Sequence, residues 1–216
     1  MRLAPQGATI WGSCAVFGAV LTVFKALFVF PIWIAIVGWL PFIAAAWFFR
    51  DPDRKIPVAS DVVIAPADGK IIVIDSPEEK YESFGFQQKI SIFMSPLNVH
   101  VNRIPSTGLI AELKYKKGRF LTAFHDKASE LNEQQFIALQ TEHGMVGFVQ
   151  IAGWLARRIV CQLQVGQQVS AGERFGLIKF GSRLDVYLPP GAEVKVELNQ
   201  RVRAGETILG LLNAKN

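Results

Sequence analysis

The sequence predicts a mainly β domain, a small β-barrel or sandwich ending in an internal repeat, carried behind an N-terminal hydrophobic helical anchor. Three observations predict it. The first 49 residues hold 36 apolar side chains, four of the five tryptophans, no acid, and only Arg2 and Lys25 as charges, a composition suited to membrane helices. From Arg50 onward, short β-branched runs recur between Gly, Pro and Asp breakers, the spacing of a small all-β fold. Near the C-terminus, Gln167-Gln168-Val169-Ser170-Ala171-Gly172-Glu173 returns 33 residues later as Gln200-Arg201-Val202-Arg203-Ala204-Gly205-Glu206, the mark of a repeated supersecondary unit.

The anchor, residues 1–49, comes first. Ala8–Phe24 and Ala26–Phe49 are parted by Lys25, with Pro31 and Pro41 in the second segment, and each is near the ~17–25 residues that cross a bilayer. A helical hairpin is expected, and a hairpin dipping in from one leaflet is the alternative. A cleaved signal peptide is not expected, because its apolar region is only ~7–15 residues long. Arg50, Arg54 and Lys55 follow the second segment and Arg2 precedes the first. The positive-inside rule then places both ends, and the domain, on the cytoplasmic side of the cell membrane.

Residues 50–216 carry 21 basic and 18 acidic side chains, too balanced for a nucleic-acid binder driven by bulk charge. The expected strands are Val62–Ile64, Lys70–Ile74, Lys89–Phe93, Leu109–Lys114, Met145–Ile151, Arg158–Gln162, Arg174–Ile178, Arg183–Leu188, Glu193–Glu197 and Thr207–Leu212. Ala123–Gln135, polar and acidic, reads as a loop with a helical turn. Cys14 and Cys161 offer no disulfide framework and read as buried spectator thiols. No glycine-rich phosphate loop is present. His100, His125 and His143 are scattered singly, without the spacing of a zinc site, so no metal is expected and a zinc hydrolase is disfavoured.

In both copies of the repeat an Ala-Gly-Glu turn precedes an apolar strand containing Gly176 or Gly210. Such units resemble the biotinyl/lipoyl-like hammerhead, whose carriers present a lysine on a hairpin tip. Here that stretch reads Phe180-Gly181-Ser182-Arg183-Leu184-Asp185-Val186-Tyr187-Leu188-Pro189. A membrane-anchored adaptor or carrier is the alternative from a different class, and it predicts an intact chain.

Gly181-Ser182 alone is a common turn. Upstream, however, stand Ala65-Pro66-Ala67-Asp68-Gly69-Lys70, Met94-Ser95-Pro96-Leu97-Asn98-Val99-His100-Val101-Asn102-Arg103-Ile104-Pro105, Tyr115-Lys116-Lys117-Gly118-Arg119-Phe120 and Asp126-Lys127-Ala128-Ser129-Glu130-Leu131-Asn132-Glu133. In this order and spacing, with Phe180-Gly181-Ser182-Arg183, the chain from Arg50 onward resembles the short, archaeal-type, membrane-associated form of phosphatidylserine decarboxylase.

The resemblance implies a proenzyme that cuts itself between Gly181 and Ser182 into a large β chain, residues 1–181, and a small α chain, residues 182–216, which stay together as a heterodimer. Ser182 Oγ would attack the Gly181 carbonyl, exchanging amide for ester. Elimination then leaves dehydroalanine, which hydrolyses to a covalent pyruvoyl group with loss of ammonia. Glycine before the serine admits strained backbone without a Cβ cost. The hydroxyl needs a base, and the resemblance offers Asp68 and His100.

The mature pyruvoyl group would form a Schiff base with phosphatidylserine, release CO2, and yield phosphatidylethanolamine after reprotonation by His100. Imidazole suits that step, with an ordinary pKa of ~6.5. Another amino-acid head group would use the same machinery, but membrane anchoring favours a lipid. Longer family members carry a second His three positions after the first, where this chain has Arg103. Either His100 serves both steps or Asp68 acts more directly, and Arg103 becomes a candidate for a substrate phosphate or carboxylate. Lys114, Lys116, Lys117 and Arg119 cluster near Gly118, as a solvated hairpin or as a lipid-facing patch. His125 and His143 read as loop residues.

Overall fold

A computed structural model describes residues 2–28, 31–118, 132–153, 158–179 and 182–212, and the chain divides into two compact units, Met1–Asp53 and Arg54–Asn216. In the first, helices α1 (Ala8–Leu27) and α2 (Ile32–Phe48) are bracketed by β1 (Arg2–Leu3), paired antiparallel with β2 (Arg50–Asp51). Lys25 does not part the helices. It lies in the last turn of α1, where a cation suits the negative end of the helix dipole, and α2 starts after Pro31.

The two helices pack through a small residue, Gly18, whose missing Cβ leaves room for the Trp39 ring. Trp39 Nε1 donates to Thr22 Oγ1 at 3.1 Å, and Thr22 donates to the Gly18 carbonyl at 2.9 Å. Phe17, Val20 and Val23 on α1 and Trp33, Ile36 and Leu40 on α2 stand exposed, an apolar surface that water disfavours. With the turn before α1, Pro5–Leu27 makes a 23-residue apolar helix, long enough to cross a bilayer; Ile32–Phe48 is apolar but shorter.

The second unit holds β3 (Val62–Ile64), β4 (Gly69–Asp75), β5 (Gln88–Met94), β6 (Val101–Arg103), β7 (Gly108–Lys116), β8 (Gln134–Thr141), β9 (Gly144–Ala152) and β10 (Arg158–Cys161). It continues with β11 (Gln168–Val169), β12 (Arg174–Lys179), β13 (Ser182–Leu188), β14 (Glu193–Val194), β15 (Arg201–Val202) and β16 (Ile208–Leu211). Among the described residues these strands form open sheets, with no closed barrel. One has eight strands in the order β11-β7-β8-β9-β13-β5-β4-β15, and two have three, β10-β12-β6 and β14-β16-β3. All share one apolar core, in which Ile71, Ile92, Ile137, Phe148, Leu184 and Leu209 are wholly buried. Strand β13 lies between β9 and β5 and is buried at all seven positions.

The repeat extends much further than the sequence suggested. Read from either end, the eight-stranded sheet presents the same series, meeting at β9 and β13. One half is β6 to β12. The other is β3, β4 and β5 followed by β13 to β16, so that the first half is inserted between β5 and β13. Matching irregularities fall at matching places: between Ile71 and Val73 on β4 and between Ile110 and Glu112 on β7, and between Ile208 and Gly210 on β16 and Arg174 and Gly176 on β12. Loop bonds match as well. Gly205 N–H donates to the Ala65 carbonyl and Gly172 N–H to that of Ile104, both at 2.8 Å. These glycines sit at φ +78° and +80°, where a side chain is strained, and any Cβ on either would crowd Ile56.

Each of the ten expected strand runs overlaps an observed strand. Four strands of this unit were not expected: β6, β8, β11 and β15. Gln134 and Gln135, assigned to a loop, instead open β8, paired with Lys116 and Tyr115. Both are nearly buried, and Gln135 Nε2 satisfies itself on the Phe136 carbonyl at 3.1 Å. Most of the remaining loop, through Leu131, lies outside the described residues.

Candidate active site

Ser182 opens β13 with no exposed surface, its backbone paired to Met94 on β5 and Ala152 on β9. Its hydroxyl points at Met94 Sδ, 3.3 Å away. Thioether sulfur is a weak acceptor, so this arrangement holds the hydroxyl without deprotonating it. Met94 Sδ also receives Asn102 Nδ2 at 3.8 Å, and Asn102 Oδ1 accepts from Gln150 Nε2 at 2.9 Å. Gln150 Oε1 is buried and accepts no hydrogen bond among the described residues. Phe180 and Gly181 lie outside the described residues.

His100 follows the turn Ser95–Asn98, closed by Asn98 Oδ1 accepting from both the Ser95 N–H (2.9 Å) and the Ser95 hydroxyl (2.8 Å). The ring is buried, with Nδ1 2.9 Å from the Asn98 carbonyl. A carbonyl only accepts, so Nδ1 carries the hydrogen and Nε2 is the basic nitrogen of the neutral ring. Two residues on, Asn102 meets the same sulfur as Ser182, which links the His100 segment to the serine.

Asp68 sits in the turn from β3 to β4. Its Oδ1 accepts from the Ala204 N–H at 2.8 Å and from Arg54 Nη2 at 2.9 Å, and its Oδ2 accepts from Arg54 Nη2 at 2.8 Å. The pair is nearly buried, with side-chain exposures of 8% for Arg54 and 13% for Asp68, so solvent screens it little. Glu206 lies 3.6 Å from Arg54 Nη1. Asp68 and Ser182 share no hydrogen bond among the described residues. Arg103, buried on β6, donates its backbone N–H to the Pro66 carbonyl and Nη1 to the Gly172 carbonyl, both at 2.9 Å.

Behind Ser182, on the other face of β13, Arg183 and Asp185 form a buried pair, Nη2 to Oδ2 at 2.9 Å. Further along, the Tyr187 hydroxyl donates to Glu78 Oε2 at 2.7 Å, and Lys89 Nζ to Glu78 Oε1 at 3.1 Å. Burial pushes the Glu78 carboxyl up, but the hydrogen bonds from Tyr187 and the backbone, with Lys89, outweigh it and hold the group below its ordinary value. Burial also pushes the Tyr187 hydroxyl and the Cys161 thiol up; Cys14 and Cys161 are free and half-buried rather than fully buried as the sequence suggested. Lys114 is exposed and paired with Glu112 at 2.6 Å. His143 lies in the β8–β9 turn; Arg119 and His125 lie outside the described residues.

Sequence reasoning passed over Met94, Asn102 and Gln150 as site residues. Gln150 carried a signal, a polar residue in the apolar run Met145–Ile151. Arg54 was counted only as a charge flanking the anchor, whereas its side chain is committed to Asp68.

Comparison with known proteins fixes the class. Curated proteins similar to this chain over nearly their whole length are decarboxylases made as proenzymes, and the chain is an enzyme of that lyase class. It is 44% identical over 214 residues to the phosphatidylserine decarboxylase proenzyme of Chlorobaculum tepidum, covering 97% of this chain and 98% of that one. It is 46% identical over 198 residues to that of Pelodictyon phaeoclathratiforme, covering 90% and 93%. The family model described as phosphatidylserine decarboxylase matches residues 42–210. The chain belongs to the phosphatidylserine decarboxylase family.

Proposed function

We propose that the protein decarboxylates phosphatidylserine to phosphatidylethanolamine and CO2 through a pyruvoyl group made from Ser182, after self-cleavage between Gly181 and Ser182. The observation that carries this reading is the placement of Ser182, a wholly buried serine at the head of the central strand, in a chain of this family. The surroundings fit such a group: Ser182 is wholly buried, and among the described residues its neighbours Met94, Asn102 and Gln150 carry no competing nucleophile. Once formed, the pyruvoyl group supplies the electron sink for loss of CO2.

The chain's own residues do the rest. Ser182 Oγ attacks the Gly181 carbonyl and gives its proton to a base formed by Asp68 with His100. With Nδ1–H fixed on the Asn98 carbonyl, His100 Nε2 is the atom that holds or delivers a proton in the later step. Arg103 offers a planar cation to a substrate phosphate or carboxylate, with Nη1 already anchored on Gly172. Residues 1–49 serve as the membrane anchor of a domain covering residues 50–216 on the cytoplasmic side of the cell membrane, where the lipid substrate lies. The large and small chains remain associated.

The test is an intact-mass spectrum of detergent-purified wild type beside Ser182→Ala. The wild type should appear as residues 1–181 plus a 35-residue piece beginning with pyruvoyl, and the variant as one uncut, inactive chain. A variant that is still cut and active would overturn the assignment.

A further inference from the structure

The duplicated fold contains its own control experiment. The turn Pro66-Ala67-Asp68-Gly69 in one half corresponds to Pro105-Ser106-Thr107-Gly108 in the other, each joining a three-stranded-sheet strand to an eight-stranded-sheet strand. In both, a side-chain oxygen at the third position caps the partner turn. Asp68 Oδ1 accepts from the Ala204 N–H at 2.8 Å, and Thr107 Oγ1 accepts from the Ala171 N–H at 3.1 Å. Ala204 and Ala171 occupy the same place in the repeat. A threonine hydroxyl therefore satisfies the architecture, and the second carboxylate oxygen of Asp68, with the cation that faces it, is surplus to folding.

That cation is Arg54. We propose that Arg54 is the positioning residue of the self-cleavage step, clamping Asp68 as an oriented anion; the inference rests on the reading of Asp68 as part of the base. Arg54 Nη2 spans both carboxylate oxygens, at 2.9 and 2.8 Å, while Oδ1 alone also takes the Ala204 N–H. Oδ2 keeps the larger acceptor capacity and is the oxygen that takes the proton. Arg54 is held in turn by Glu206, which is 3.6 Å from its Nη1 and accepts the Lys55 N–H at 3.3 Å. Its stem lies against the Gly205 turn, so side chain and backbone together fix the fork. Burying an ion pair is costly unless it is well paired, and the threonine half shows that the turn folds without one.

The full chain is made by cell-free synthesis with detergent, and cutting at Gly181–Ser182 is followed over time by gel and intact mass. Arg54→Ala should slow cutting on the order of 100-fold, the cost of a misplaced catalytic group. Arg54→Lys should recover most of that loss, and guanidinium ion at millimolar concentration should partly restore Arg54→Ala while doing nothing for Asp68→Asn. An Arg54→Ala chain cut at the wild-type rate overturns the clamp, as does one that neither lysine nor guanidinium improves, since that is the behaviour of a merely structural residue. Asp68→Asn separates the two ideas. If it is cut normally, the reading of Asp68 as part of the base fails, and the clamp with it; if it stays uncut while Arg54→Ala is normal, only the clamp fails.

Discussion

At the scale of single residues, the contrast between Asp68 and Thr107 separates stability from chemistry. Replacing a buried ion pair by apolar and neutral groups of similar size is often neutral or stabilising, whereas removing one partner leaves a costly buried charge. The double variant Arg54→Met/Asp68→Thr copies the threonine half, so it should melt within ~4 °C of wild type, about 1 kcal/mol for a domain of this size. It should nonetheless remain a single uncut chain, read by thermal melting and gel. A large fall in melting temperature would make the pair a structural device. Ser182, His100 and Asp68 stand out in the sequence because each lies in a short local motif. Arg54 does not, since its partner depends on how residues 54–60 cross the Gly172 and Gly205 turns. Met94 and Asn102 were equally hidden, because the register between β5 and β13 sets Met94 opposite the serine and only the packing of β6, in the other sheet, brings Asn102 to the same sulfur.

At the scale of elements, β13 is built with two unlike faces. One turns Ser182, Leu184 and Val186 to the core; the other turns Arg183, Asp185 and Tyr187 to a polar and aromatic layer, where Tyr187 holds Glu78. Because the folded Glu78 carboxyl lies below its ordinary 4.5, its contribution to stability is present above that value and is lost as pH falls through the lower folded value. Melting temperature measured from pH 6 to pH 3 should therefore fall less steeply in Glu78→Gln than in wild type, and equal slopes would remove Glu78 from acid unfolding. Strands of this kind were legible as β-branched runs between breakers. β8 was not, because its opening glutamines hide burial behind polar side chains, and β11 and β15 are only two residues long.

At the scale of the whole molecule, the inserted half decides what a cut at Ser182 can release. The C-terminal piece would contribute β13 between β9 and β5, β15 beside β4, and β16 beside β3, so it is woven into both kinds of sheet. The two chains should co-elute in size-exclusion chromatography in mild detergent and separate only in denaturant; separation without denaturant would contradict this topology. The repeat of seven residues was visible in the sequence, but the duplication was not, because one half is split and its parts are distant along the chain. The split also imposes an order in time. Both neighbours of β13, β5 and β9, precede it along the chain, so during synthesis the strands that flank the slot emerge before its occupant. A chain cut short before β13, or one in which β5 and β9 are wrongly paired, would have nowhere to seat that strand, and the proposed self-cleavage would then wait on the arrival of a correctly paired sheet.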